Sequence, residues 1–256
     1  MTAPQAAPSS SRNTQSTLAV RIGSKLRPAI NWAAARASQV PLSPVIDDSQ
    51  LEWTARLRHA WKDIAAEAES VLAMRERLPR LRDVSPDHKR IAGDGRWRCF
   101  FLQGYGQKIE ANRRLAPRTA SLLDTIPNLN SGFFSVLEPG AVIPMHVGVT
   151  RGLLTWHLGL HTPTDHRKCW IKVDNVTLDW QPGHSFLFDD TYPHEVHNDT
   201  DDYRVILLVQ VERPMKAPLR WLPDLFLWGV KKTAFVRDAR DAIERIESVT
   251  ARMERA

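Results

Sequence analysis

Between Phe133 and Val211 the chain breaks into short runs rich in β-branched and aromatic residues, "FFSVL", "LLTWHLGL", "CWIKV", "VTLDW", "SFLF" and "RVILLVQV", each bounded by Gly, Pro, Asn or Asp. Nothing else in the sequence constrains the fold as much. Strands of roughly four to eight residues separated by turn signals at this spacing build an all-β sandwich or barrel. Within "KVDNVTL" an Asp-Asn pair is placed to turn a tight hairpin. Such a set of strands within about 80 residues suits a double-sheet jelly roll.

The β-rich character begins at "RWRCFFLQGYG", from Arg96. The expected fold is therefore mainly β, with a double-stranded β-helix (jelly-roll, cupin-like) core over 96–215. Upstream, 18–95 reads as helical: "IAAEAESVLAMRERL" mixes strong helix formers with spaced apolar residues, and Pro79 ends it. Downstream, 216–256 reads as an amphipathic helical region. Residues 1–17, "MTAPQAAPSSSRNTQST", hold no apolar run of the signal-peptide kind and are expected to form a disordered tail. No run of about 18 apolar residues appears, which argues against a spanning helix. Cys99 and Cys169 lie 70 positions apart without a CxxC pattern. That makes a disulfide framework or thiolate zinc site a poor fit and a reducing cytoplasm the expected compartment.

The 35 Lys and Arg against 29 Asp and Glu bias the surface toward anions, with a net +6. Without an aromatic-basic ladder or a known module this gives no nucleic-acid partner. "RWLPDLFLWGVKK", Arg220 to Lys232, joins tryptophans and leucines to flanking basic residues. Its composition suits peripheral contact with an anionic membrane, with the packing of its aromatics on the outside of the barrel the slightly favoured alternative.

Two of the nine histidines stand in polar, turn-flanked settings beside apolar strands. His146 follows "EPGAVIPM", a turn into a strand, and His194 follows "FDDTYP", 48 positions later. In a jelly roll, residues this far apart can meet at the barrel mouth, and two neutral imidazoles with water or a substrate oxygen form the arrangement favoured by non-haem Fe(II). Spacing alone leaves the other reading open, since a histidine near a strand end is ordinarily a hydrogen-bonded or surface residue. A carboxylate two positions after the first histidine is missing, because Gly148 sits there.

The words "SVLEPGAVIPMHVG", "WHLGL", "FDDTYPHEVHNDTDDYR" and "VERPM", in that order between Trp97 and Met215, resemble the aspartyl/asparaginyl β-hydroxylase family of Fe(II)/2-oxoglutarate dioxygenases. Their wording is nearest to its bacterial lipid A hydroxylases. The resemblance implies that His146 and His194 are the metal ligands and catalytic pair, with glycine at 148 the expected residue. It also implies that Arg204 grips the distal carboxylate of the 2-oxoglutarate cosubstrate, with Ser135 and His157 as further contacts. Physically, a bidentate guanidinium suits a carboxylate, and an arginine opening "RVILLVQV" needs a partner. One departure is Thr155, where the family commonly carries arginine; Arg151 could substitute only if the local turn brought it inward. Asp189, Asp190 and Glu195 are expected to cap the loop or orient ligands. The reaction implied is hydroxylation of an unactivated C–H, with a lipid acyl chain favoured over a peptidyl aspartyl/asparaginyl or small-molecule substrate. A non-catalytic jelly-roll binding module and, through the open position at Gly148, halogenation are the alternatives.

Overall fold

A computed structural model describes residues 18–84 and 91–231. The tail expected over 1–17 and the helical region expected beyond 231 lie outside the described residues. The chain begins with α1 (Leu18–Ala37), β1 (Val45–Ile46), α2 (Glu52–His59), α3 (Trp61–Leu72) and α4 (Leu81–Val84). It continues through β2 (Trp97–Gly104), β3 (Gln107–Lys108), α5 (Glu110–Leu115) and α6 (Pro117–Leu123). Then come β4 (Leu129–Leu137), β5 (Val142–His146), β6 (Leu153–His161), β7 (Cys169–Val173) and β8 (Val176–Asp179). The last elements are β9 (Ser185–Phe188), β10 (His194–Asn198), β11 (Arg204–Glu212) and α7 (Trp221–Lys231). No helix among the described residues is long and apolar enough to cross a membrane.

The strands form a seven-stranded sheet, ordered β1-β9-β6-β11-β4-β2-β3, and a four-stranded sheet, β5-β10-β7-β8. From β4 to β11 the chain passes back and forth between the two sheets, so that β9-β6-β11-β4 faces β5-β10-β7-β8. This is the eight-strand jelly roll expected from the sequence. The Asp174-Asn175 turn joins β7 to β8, with Asp174 in the left-handed region at φ 53°, as a tight hairpin requires.

The apolar run on β11 is nearly continuous because both its faces are covered. Val205, Leu207, Val209 and Val211 belong to a core shared with α2 and α3 on the outside of the large sheet. The alternate residues, Arg204, Ile206, Leu208 and Gln210, line the space between the sheets. The same period of two places Leu154, Trp156 and Leu158 of β6 in the outer core, and Thr155 and His157 inside.

Two features differ from the expectation. Val45–Ile46, within the stretch read as helical, instead pairs with Leu187 and Phe188 of β9, because Pro41 and Pro44 interrupt the helix and two β-branched residues extend the sheet edge. The β-region also contains a helical insert, α5 and α6. There Pro117 stands in the first turn and Leu123 packs into the outer core.

Candidate active site

β5 and β10 pair antiparallel with His194 directly opposite His146. This register sets the imidazole centroids 4.0 Å apart with 53° between the rings. Both rings are anchored in the same way, His146 Nδ1 at 2.9 Å from the Pro144 carbonyl and His194 Nδ1 at 2.9 Å from the Tyr192 carbonyl. A carbonyl has no proton to give, so Nδ1 is the protonated nitrogen in both rings and Nε2 keeps its lone pair. Burial holds the His194 pKa below the ordinary histidine range, against a smaller upward pull from the Tyr192 carbonyl, and so favours the neutral, ligating form. Both rings line a cavity of about 140 Å³ between the sheets. Among the described residues no group of three or more His, Cys, Asp or Glu side chains is arranged to hold a metal.

Arg204 lines the same cavity from the inner face of β11 and is only 2% exposed. Its guanidinium lies 4.6 Å from the Trp180 ring centroid, and its Nε has no hydrogen-bond partner. Burial pushes its pKa down to about 10, and no carboxylate contributes to its surroundings. A buried, unpaired guanidinium is costly unless a ligand supplies the anion.

Two further donors stand in the same cavity. The Trp180 indole N–H donates to His157 Nδ1 at 3.4 Å, so the His157 proton is on Nε2, which is buried without a partner. Burial first, and the Arg204 charge second, hold the His157 pKa well below its ordinary value. The Trp97 indole N–H donates to Ser135 Oγ at 2.9 Å, which leaves the hydroxyl proton of Ser135 to donate elsewhere. Arg204, His157 and Ser135 thus present donors suited to a carboxylate, and Nε2 of His146 and His194 present lone pairs suited to a cation. The residues fit an iron ion and a dicarboxylate.

All five residues singled out in the sequence line one cavity, whereas the acidic neighbours of His194 separate. Glu195 pairs with His197 at 3.5 Å, on the face of the small sheet turned away from the cavity. Asp189 accepts from the Thr191 amide at 3.0 Å and is locked at 2.5 Å to buried Arg213. Only Asp190 enters the cavity, where it accepts from Thr155 Oγ1 at 3.2 Å and Gln210 Nε2 at 3.4 Å. Its Oδ1 is buried without a partner. Burial, followed by the negative charge of Asp189, raises its pKa to about 7. A Cβ at Gly148 would stand 2.1 Å from this Oδ1, so the absence of a side chain at 148 is what admits the Asp190 carboxyl.

Arg151 does not turn inward. It pairs with Asp189 at 3.3 Å, bonds Thr191 Oγ1 at 3.3 Å and lies over the Tyr192 ring. Arg151 therefore does not take the place left by Thr155. The sequence reading overlooked Gln210 and the tryptophans that orient Ser135 and His157. Gln210 had a legible signal, since it is a second polar exception in "RVILLVQV" and shares the face of Arg204 at the strand period of two.

The sequence pattern of the aspartyl/asparaginyl β-hydroxylase family matches residues 58–214, more than half of the chain. The chain belongs to this family. It is 39% identical over 198 residues to the ornithine lipid ester-linked acyl 2-hydroxylase of Rhizobium tropici, covering 77% of this chain and 70% of that one. It is 30% identical over 172 residues to human aspartyl/asparaginyl beta-hydroxylase, covering 65% of this chain but 22% of the human protein. It is 33% identical over 129 residues to human aspartate beta-hydroxylase domain-containing protein 2, covering 47% and 34% respectively.

Proposed function

We propose that the protein is an Fe(II)- and 2-oxoglutarate-dependent dioxygenase that hydroxylates an unactivated C–H of a lipid acyl chain. The observation that carries this reading is the buried guanidinium of Arg204, without a carboxylate, in the same cavity as two imidazoles whose Nδ1 protons are fixed by backbone carbonyls. When bound, iron and 2-oxoglutarate together supply the oxidant: the cosubstrate is decarboxylated to succinate and CO2 as one oxygen atom of O2 enters it and the other enters the C–H bond.

The protein's own contribution is placement. His146 and His194 hold the metal through Nε2. Arg204 grips the distal carboxylate of 2-oxoglutarate, aided by the Ser135 hydroxyl and His157 Nε2–H. The walls between these polar groups are apolar, among them Phe101, Phe133, Ile143, Ile171 and Leu208. They exclude water and suit an acyl chain better than a charged aspartyl side chain. The 39% identity with a rhizobial enzyme named for acyl 2-hydroxylation supports the same preference. Cys99 and Cys169 are both buried free thiols, which accords with a reducing, cytoplasmic setting. An acyl chain within a bilayer has to be met at the membrane surface.

The test is a comparison by mass spectrometry of lipid extracts from cells with and without the gene, paired with succinate measurement on the purified protein. The expected result is a gain of one oxygen on an acyl chain and succinate formed in step with it. Succinate formation coupled only to a peptide would overturn the lipid reading, and no succinate under any condition would overturn the dioxygenase.

A further inference from the structure

All ten large hydrophobic residues that are exposed among the described residues fall in three segments, 26–42, 142–149 and 221–228. On α1 Leu26 and Trp32 are 51% and 60% exposed. On α7 Trp221, Leu225 and Trp228, spaced four and three apart and therefore on one helical face, are each more than half exposed. The third segment is the rim of the cavity: Met145, Val147 and Val149 flank His146 along the end of β5 and the loop beyond it. Scattered exposed apolar side chains need no explanation, but a concentration of all of them does.

The three segments adjoin one another. α1 packs against α7. Asn31 of α1 accepts from the Arg151 amide at 2.9 Å, which ties it to the loop after Val149. Gly152, in the same loop, lies against Leu227 and Pro223 of α7. Leu42 is joined through its carbonyl to the hydroxyl of Tyr192, two residues before His194. The exposed apolar surface is thus continuous with the mouth of the cavity.

Charge follows the same map. Residues 18–40 carry Arg21, Lys25, Arg27 and Arg36 and no acid, and 214–232 carry Lys216, Arg220, Lys231 and Lys232 against Asp224 alone. These segments hold 8 of the 35 Lys and Arg and 1 of the 29 Asp and Glu, so the rest of the chain carries 27 and 28 and is nearly neutral. The net positive charge of the protein resides in the two segments that also carry the exposed tryptophans. Tryptophan at headgroup depth with Lys and Arg beside it is the composition of a helix lying in an anionic interface.

We propose that α1, α7 and the 142–149 rim form one docking surface for an anionic phospholipid bilayer, which sets the cavity mouth against the lipid. The proposal deepens the lipid reading of the cavity and rests on it only for what enters the mouth.

The test uses the full chain in vesicle flotation, with vesicles of phosphatidylcholine alone and with about one-third phosphatidylglycerol, and follows tryptophan emission. The expected result is binding to the anionic vesicles at least tenfold tighter than to the neutral ones, a blue shift of the emission, and weakening by added salt. Trp221→Ser with Trp228→Ser should weaken binding at least fivefold. Lys25→Glu with Lys216→Glu should lower it toward the neutral-vesicle level, without altering uncoupled 2-oxoglutarate turnover in solution. Equal binding to both vesicles, no binding, or binding that the tryptophan variant leaves unchanged would overturn the proposal. So would a dimer in solution that Leu225→Ser dissociates, since the surface would then be covered by a second copy. Vesicle binding without 2-oxoglutarate turnover would sustain the docking surface and overturn the dioxygenase. Turnover without vesicle binding would do the reverse.

Discussion

Replacing Arg204 by Met should stabilise the ligand-free protein while abolishing its response to 2-oxoglutarate. The guanidinium is 2% exposed, its Nε makes no hydrogen bond, and burial lowers its pKa to about 10, well below the ordinary arginine value. At about 1.4 kcal/mol per pKa unit, holding the charge in the folded state costs on the order of 3 kcal/mol. Methionine fills much of the same volume without a charge, and buried ionic groups are often replaced by apolar ones with a gain of about 1–4 kcal/mol. The lost contact with the Trp180 ring, 4.6 Å away, takes back about 1 kcal/mol. The expected net gain is therefore about 1–2 kcal/mol, or roughly 2–8 °C in Tm for a chain of this size. The assay is thermal unfolding with and without 2-oxoglutarate in the presence of a redox-inert divalent metal. The natural protein should gain about 2.7 kcal/mol at a hundredfold excess over Kd, and the variant nothing. Arg204→Lys keeps the charge but loses the planar fork, so its 2-oxoglutarate affinity should fall by about 1–3 kcal/mol, with metal content unchanged. If Arg204→Met instead loses about 3–5 kcal/mol, as when one partner of a buried ion pair is removed, or still responds to 2-oxoglutarate, the assignment of Arg204 is wrong.

Four other substitutions test the remaining parts. His146→Ala and His194→Ala should each abolish metal-dependent succinate formation and lower metal content, because among the described residues no third protein ligand is arranged to hold the ion; normal decarboxylation in either would remove the metal assignment. Gly148→Asp should reduce activity and destabilise by about 1–3 kcal/mol, since its Cβ would meet Asp190 Oδ1 at 2.1 Å and push the carboxyl away, pulling its Oδ2 from Thr155 and Gln210; raised hydroxylation with tighter iron binding would contradict this. Asp190→Asn tests the sign of a buried acid. Its folded pKa is raised to about 7, so between its unfolded value and about 7 the folded state binds the extra proton, and the stability contributed by the neutral carboxyl is lost as pH rises through that window. The variant should show a flatter stability profile than the natural protein between about pH 4 and 7 and be the more stable of the two above it. Parallel profiles in denaturant titrations would mean that Asp190 ionises normally.

The fold was legible where strands are long and covered on both faces. β4, β6 and β11 announce themselves as apolar runs because helices cover one face and the small sheet the other. β5 and β10, the strands that bear the two histidines, do not. "VIPMH" and "HEVHN" are short and contain Pro144 and polar residues; only Ile143 is buried in the first, and the second alternates between buried and half-buried positions. Their pairing is fixed by the sheet around them, and no local pattern states that His146 will face His194. Site residues were legible as exceptions: Arg204 and Ser135 interrupt apolar strands, and burying a polar group without a partner is costly enough to demand a reason. Which way an exception points depends on strand phase. For Gln210 that phase was readable from Arg204 on the same strand, whereas Arg151, on a loop, could be placed only by the turn that sends it to Asp189.

The exchange at Thr155 then has a physical reading. Thr155 and Gln210 stand opposite each other on β6 and β11, and both donate to the carboxyl of Asp190. An arginine at 155 would meet that carboxyl directly and hold it ionised, placing a buried ion pair beside His146 and His194. With threonine and glutamine instead, the carboxyl pKa stands near 7, and this wall of the cavity is neutral whenever the proton is on. Positive charge in the cavity is then confined to Arg204, at the end that the cosubstrate's distal carboxylate would occupy. The opposite end offers hydrogen bonds and apolar surface but no fixed charge to recognise an anionic substrate group. A site with one permanent charge can bind one dicarboxylate tightly and still leave a hydrocarbon segment undisturbed beside the metal, which is the selectivity an acyl hydroxylase needs.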